Sequence, residues 1–211
     1  MKRLLRLLIL FTVPYSFIFS QEIKDFIHPQ GNINKLTYYH PSKSGGRLPV
    51  SYITWFSEYK DGGFFMTETT FMKNKPSMIV TSQIQCEGNR ALLKQTVSTT
   101  MFETNIRRDY DPPKIFLVLP NENKQAKWSE SDNAGDTWQY TAELIQIDIE
   151  GKPTPVIKVT QKHAEYPVTA FEYFAKGIGL WKEKLSEDLI TKVLDSREFD
   201  PEAFIFPYDQ D

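Results

Sequence analysis

The chain has 211 residues, of which 40% are hydrophobic and 14% aromatic, and its formal net charge at pH 7 is −2. So small an acidic charge gives no electrostatic basis for binding nucleic acid or an anionic membrane surface. Its single cysteine, Cys86, excludes an intramolecular disulfide, so the domain has to depend on its hydrophobic core.

Residues 1–20 have the pattern of a cleavable secretory signal peptide. Three basic residues precede an apolar stretch at residues 7–19, which is too short to span roughly 30 Å of hydrocarbon as a helix. We place the cleavage after Ser20, which removes no acidic residue and changes the net charge from −2 to −5. No cysteine follows closely, so we expect residues 21–211 to be released, without a membrane anchor, into the periplasm or the exterior.

From about residue 33 onward, β-branched and aromatic runs alternate with turn residues, which predicts a single all-β domain. The turn segments 60–63 and 87–89 contain glycine and predict that consecutive strands pair as antiparallel hairpins. Several runs are about ten residues long and indicate one curved, long-stranded sheet, half-barrel or sandwich-like. The predicted strands are residues 35–40, 50–59, 63–73, 78–87, 90–102, 114–119, 126–129, 137–150, 156–163, 168–175 and 180–185.

Two of the later segments need a further interpretation. In residues 137–150 the apolar positions change from even numbers, such as Ala142, to odd numbers, such as Ile147. This change predicts a bulge near Leu144 that switches the buried face. Residues 189–194 fit either a strand that completes a hairpin or a short C-terminal helix, and we favour the strand. The tail at residues 200–207 is expected to pack as an extended lid or edge.

Residues 131–138 carry a distinctive turn pattern. Ser131, Asn133, Gly135, Thr137 and Trp138 follow the spacing S-x-D-x-G-x-T-W, and the segment resembles the Asp-box hairpin of sialidases and other β-proteins, with Asn in place of the usual Asp. The resemblance implies that the Asx side chain bonds turn amides, that glycine accepts a strained conformation and that tryptophan caps the turn. One copy in a chain of this length indicates a fold element and argues against a sialidase.

Residues 171–182 form an aromatic strand, a turn through Gly177 and Gly179, and a second strand. This pattern resembles the Y-x-A-x-G-x-G hairpin that closes exported bacterial domains whose sheets are similar to the open half-barrels of LolA-like lipoprotein carriers. Trp181 stands where that pattern has an aliphatic residue. The resemblance implies a curved sheet and a carrier role.

No catalytic or metal-binding pattern is present. The sequence has no G-x-S-x-G, HExxH or CxxC motif. His163 and Glu165 share a strand face, but local spacing supplies no third ligand, so we expect an ordinary hydrogen-bonded histidine. Cys86 is expected to lie on a strand as a buried hydrophobe. Asp109 and Asp111 precede two prolines and are expected in a solvated turn. We expect no cofactor, and an enzyme is less favoured than a binding protein.

Three functions remain open. The chain could be an exported, non-catalytic protein that shelters an apolar or lipid-like ligand in its curved sheet. It could be an accessory or structural protein that binds an envelope protein. It could also be a small secreted hydrolase. For the first function, the predicted ligand-binding residues are the aromatic side chains Trp55, Phe65, Phe71, Tyr140, Phe171 and Tyr173.

Overall fold

The computed structural model describes residues 23–58, 63–100, 102–121, 123–132 and 135–201. Within them, one short helix and twelve strands follow in chain order, and the all-β prediction is confirmed. The elements are α1 (Lys24–Ile27), β1 (Lys35–Pro41), β2 (Arg47–Glu58), β3 (Phe64–Met72), β4 (Lys75–Glu87), β5 (Arg90–Thr100), β6 (Ile106–Val118), β7 (Ala126–Ser131), β8 (Thr137–Ile149), β9 (Lys152–His163), β10 (Thr169–Ala175), β11 (Gly179–Lys184) and β12 (Ile190–Glu198). The predicted signal peptide and nearly all of the C-terminal tail lie outside the described residues.

The strands form one antiparallel sheet with the order β6-β5-β4-β3-β2-β1-β12-β11-β10-β9-β8-β7. Pairing of β1 with β12 joins the two ends of the domain. The outermost strands, β6 and β7, meet at a seam that side chains bridge: the Ile115 amide donates to Glu130 Oε1 at 2.8 Å, and Lys114 Nζ donates to the Ser131 carbonyl. The sheet is therefore curved and nearly closed. Among the described residues, we find no helix both long and apolar enough to span a membrane.

Local turn chemistry accounts for most of the strand order. The turn between β3 and β4 has positive φ at both Lys73 and Asn74, and the turn between β8 and β9 at both Glu150 and Gly151. Two-residue turns of this kind match the twist of paired strands and fix their register. The predicted hairpin at residues 87–89 is confirmed, since β4 and β5 pair up to Glu87 and Arg90.

The structure decides one open alternative among the predicted strands and contradicts two other expectations. Residues 190–198 form strand β12, so the helix alternative for this segment is wrong. The expectation of a turn at Asp109 and Asp111 is wrong, since both residues belong to strand β6. Register shifts in the pairing of β5 with β6 accommodate the two prolines that follow. Asp109 accepts a hydrogen bond from the Gln95 side chain of β5. The bulge near Leu144 is absent, since β8 pairs with β9 in one unbroken register.

The parity change in β8 reflects burial on two different faces of the sheet. Ala142 and Leu144 pack in the main core on the concave face. Ile145, Ile147 and Ile149 pack in a smaller cluster with Val156, Ala175 and Ile178. A regular strand places successive side chains on opposite faces, so no bulge is needed to bury both sets.

Helix α1 packs into the main core beside the β10–β11 turn. Phe26 and Ile27 are buried there. The Gly177 amide donates to the Asp25 carbonyl at 2.6 Å. Gly179 has φ +93°, and a Cβ atom at this position would lie 2.8 Å from the Ile27 carbonyl oxygen. The predicted Gly-x-Gly hairpin is confirmed, and its second glycine is also required by the close approach of the N-terminal segment.

Candidate functional site

A cavity of about 270 Å³ lies on the concave face of the sheet. Its apolar wall includes Phe56, Met66, Phe116, Phe174 and Leu180. Its polar wall consists of side chains from strands far apart in sequence. The other lining residues are Ile27, Tyr38, Thr54, Glu68, Val80, Ser82, Glu172, Glu183 and Lys192. The cavity is therefore amphipathic, with apolar rings and a cluster of ionisable groups around one space.

Adjacent strands bring the ionisable groups together. Glu172 of β10 pairs with Glu183 of β11, and Glu183 pairs with Lys192 of β12, so the three side chains form a row on the concave face. Lys192 is only 6% exposed. Its Nζ atom lies 2.8 Å from Oε2 of Glu68 on β3, and 3.8 Å from Oε2 of Glu183. We call Glu68, Glu172, Glu183 and Lys192 the interior charge cluster.

Two tyrosines flank the interior charge cluster. Lys192 Nζ lies 4.4 Å from the ring centroid of Tyr52 and 5.6 Å from that of Tyr38, within the range of a cation–π interaction. Tyr38 is 1% exposed. Burial, with the nearby charges of Glu68 and Glu183, raises the pKa of its hydroxyl well above the ordinary value, so this hydroxyl remains protonated.

The interior charge cluster contains one lysine and three carboxyl groups, and their pKa values reflect this imbalance. Burial raises the pKa of Glu172 to about 7, the charge of Glu183 adds to the rise, and Lys192 and a hydrogen bond with Gln161 oppose it. Burial by itself would lower the pKa of Lys192, but Glu68 and Glu183 more than offset it, so the pKa is raised. Lys192 is therefore charged, whereas Glu172 changes protonation state near neutral pH.

A second cavity, of about 310 Å³, adjoins the first on the concave face at the seam between β6 and β7. The two cavities share Phe116 and Glu172 as lining residues. Tyr140 lines the second cavity, and its ring stacks on Trp128 with centroids 5.1 Å apart. Glu172 therefore faces both spaces.

The structure distributes the predicted ligand-binding aromatic residues over both faces of the sheet. Only Tyr140 lines one of the two interior cavities. Trp55, Phe65 and Phe71 have the strand parity opposite to Phe56, Phe64 and Met66, and point away from the concave face. Phe171 lines a shallow outer groove, while Tyr173 packs in the smaller apolar cluster near Trp181.

In the hairpin that resembles an Asp-box, the turn is held by Asp132, the residue before Asn133. Asp132 Oδ1 accepts a hydrogen bond from the Asp136 amide at 3.0 Å, and Oδ2 accepts one from Trp138 Nε1 at 3.4 Å. Gly135 has φ +90°, as the pattern implies, and Ser131 and Thr137 pair across the turn. Asn133 lies outside the described residues. An Asx side chain thus does bond a turn amide, at position 132.

His163 is part of the same structural region. Its Nδ1 atom accepts hydrogen bonds from the backbone amides of Glu165 and Tyr166, both at 3.1 Å. Its ring packs edge-on against Trp138 at 4.9 Å. His163 is therefore hydrogen-bonded within its own turn. Among the described residues, no group of three or more histidine, cysteine or acidic side chains is arranged so that it could hold a metal ion. Cys86 lies half-buried on β4 against the main core.

The sequence did contain a signal for the interior charge cluster. Glu68 shares strand parity with Phe64 and Met66, and Glu172 shares it with Phe174. A charged residue at an inward position of an apolar strand indicates a buried polar site. Strand parity within one segment cannot show, however, that residues from β3, β10, β11 and β12 converge.

Comparisons with known proteins place the chain in no family. No family model matches it, and no curated protein matches it. A solved structure of a candidate exported protein with a YmcC-like fold from Bacteroides fragilis is similar over 82% of this chain and 98% of its own, with 7% sequence identity and a TM-score of 0.40.

Proposed function

We propose that this protein is a non-catalytic binding protein that holds a small amphipathic molecule inside its curved sheet. The observation that carries the proposal is the cavity of about 270 Å³ in which an apolar wall meets the interior charge cluster. This volume is close to the lower end of the range for small-molecule sites, about 300–1,000 Å³. The ligand's apolar part would contact Phe116, Phe174 and Leu180, and its polar end the charge cluster.

Stability alone gives no reason for such a cluster. Replacing a buried ion pair with well-packed apolar side chains is often neutral or stabilising, by about 1–4 kcal/mol. The cluster also places Glu172 directly opposite Glu183 on neighbouring strands, an arrangement of like charges that destabilises a sheet. Groups kept in an unfavourable arrangement beside a cavity are typical of functional sites.

A cavity-filling substitution tests the proposal. Val80 lines the cavity, so Val80→Phe should place a ring in the ligand's space. Val168, in an exposed turn and 39% exposed, provides the matched control Val168→Phe. We expect calorimetric titration with hexanol to show binding to the unmodified protein and to the control, and loss of binding in Val80→Phe. Equal binding by both variants would place hexanol elsewhere and contradict the proposal.

We also propose that the protein acts outside the cytoplasm, in the periplasm or the exterior. The support for this is the charged and apolar pattern of residues 1–20. N-terminal sequencing of the protein recovered from its producing cells tests it. A mature chain that begins near Gln21 is the expected result, and a retained, uncleaved N-terminus would contradict it.

A small hydrolase is the second candidate, because one observation favours it. Glu172, with a pKa of about 7, lies opposite Glu183 on the adjacent strand, and two carboxyl groups with different environments can divide the roles of acid and base. A hydrolase would show turnover whose pH profile changes near pH 7 and is lost in Glu172→Gln. Binding without turnover across ester and glycoside substrates would exclude this candidate.

A further inference from the structure

We propose that the interior charge cluster recognises a ligand with an alkylammonium group, which binds between Glu172, Glu183 and the hydroxyl of Tyr38. This inference rests on the proposed binding function and assigns the chemical class of the ligand's polar end. It excludes fatty acids and other anionic amphiphiles as the preferred ligands.

Charge is the first support. In the first cavity, Glu68, Glu172 and Glu183 are opposed by Lys192 alone. In the second cavity, Glu130 is opposed by Lys114, whose Nζ donates a hydrogen bond to the Ser131 carbonyl. The neutral groups facing these charges are Tyr38, Tyr52, Tyr110, Tyr140 and Gln161. The concave face therefore has more carboxyl groups than cations, and a cationic ligand would reduce the excess.

Hydrogen-bond capacity is the second support. Each carboxylate offers about four acceptor positions. Glu68 accepts from Lys192 and, at 3.4 Å, from Thr54. Glu183 accepts from Thr191 at 2.9 Å. Hydrogen-bond acceptors thus outnumber donors in the cluster. An ammonium group would supply donors, because it has three N–H groups and no acceptor.

The Tyr38 hydroxyl provides an independent observation. Tyr38 lines the cavity, is 1% exposed and lies close enough to Glu68 and Glu183 for their charges to raise its pKa. Its hydroxyl makes no hydrogen bond to another described residue. Its oxygen can accept a hydrogen bond from a ligand's N–H group in the cavity.

Three probes that differ only at the polar end test the inference. Hexylamine, hexanol and hexanoate are titrated calorimetrically into the unmodified protein at pH 8 and at pH 6. At pH 8 we expect hexylamine to bind at least about tenfold more tightly than hexanol, the difference that a hydrogen-bonded charge supplies, and hexanoate to bind most weakly. At pH 6 Glu172 is protonated for most of the time, so the preference for hexylamine should decrease.

Two variants assign the effect to the cluster. Glu172→Gln keeps the shape of the side chain and removes its charge, and it should abolish both the preference for hexylamine over hexanol and the pH dependence of that preference. Glu143→Gln makes the same change on the opposite face, where Glu143 pairs with Lys158, and should change neither. The pH comparison on the unmodified protein remains decisive if Glu172→Gln does not fold.

The outcomes separate this inference from the proposed function. Equal binding of hexylamine and hexanol would overturn the ammonium assignment and leave the binding cavity supported. Tightest binding of hexanoate would likewise overturn the assignment. Failure of all three probes to bind would overturn the proposed function together with this inference.

Discussion

Replacing Glu172 with glutamine should stabilise the protein at high pH. The pKa of Glu172 is raised from 4.5 to about 7 in the folded state. Between these values the folded protein holds a proton that the unfolded chain has lost, so stability falls as the pH rises through this window. A shift of about 2.5 pKa units corresponds to about 3 kcal/mol. Glutamine remains neutral throughout and avoids this loss.

Urea unfolding at pH 5 and pH 8, followed by tryptophan fluorescence, measures the effect. We expect Glu172→Gln to differ little from the unmodified protein at pH 5 and to be more stable by about 2–3 kcal/mol at pH 8. Glu143→Gln, on the opposite face, serves as the control and should show no comparable change with pH. A stability difference between Glu172→Gln and the unmodified protein that is the same at both pH values would show that Glu172 does not titrate in this window.

Three further substitutions, one of them with a matched control, test other parts of the structure. Gly179→Ala should lower the free energy of unfolding, measured in urea, by about 2–4 kcal/mol, because it adds a backbone clash to the strain of a positive φ. The control Gly45→Ala, at φ +88° and with no atom within 4 Å of the added Cβ, should lower it by only about 1 kcal/mol. Equal losses would contradict the close contact at Gly179. Lys192→Met should lower the free energy of unfolding by about 3 kcal/mol at pH 8, because it removes the cation that faces the partly buried carboxyl groups of the cluster. The loss should be smaller at pH 5, where Glu172 is protonated. A loss that does not depend on pH would count against this. Glu130→Ala should speed hydrogen exchange at the Ile115 amide, because Glu130 Oε1 accepts a hydrogen bond from this amide at 2.8 Å. Unchanged exchange would show that the seam does not depend on Glu130.

The sequence predicted the fold class because sheet formation here is mostly local. Alternating runs and two-residue turns such as Lys73-Asn74 determine which strands pair and in which register. The joining of the two halves of the sheet depends instead on β1 pairing with β12, across most of the chain. No local pattern encodes that contact, so half-barrel and sandwich-like arrangements remained equivalent at the level of sequence.

The candidate site could not be predicted for the same reason. Glu68 and Lys192 are separated by 124 positions, yet their side chains form a hydrogen bond. Aromatic content suggested a ligand-binding wall, but strand parity alone did not show which face is concave. Trp55 and Phe71 lie on the face opposite the cavity, whereas Phe116 and Phe174, which aromatic content alone does not distinguish from them, line it.

A crystal structure of the protein with hexylamine at pH 8 would show where the ligand binds. We expect density for the alkyl chain against Phe174 and Leu180, with the nitrogen within hydrogen-bond distance of Glu172. An interior without hexylamine, or hexylamine bound only on the outer face of the sheet, would contradict this expectation.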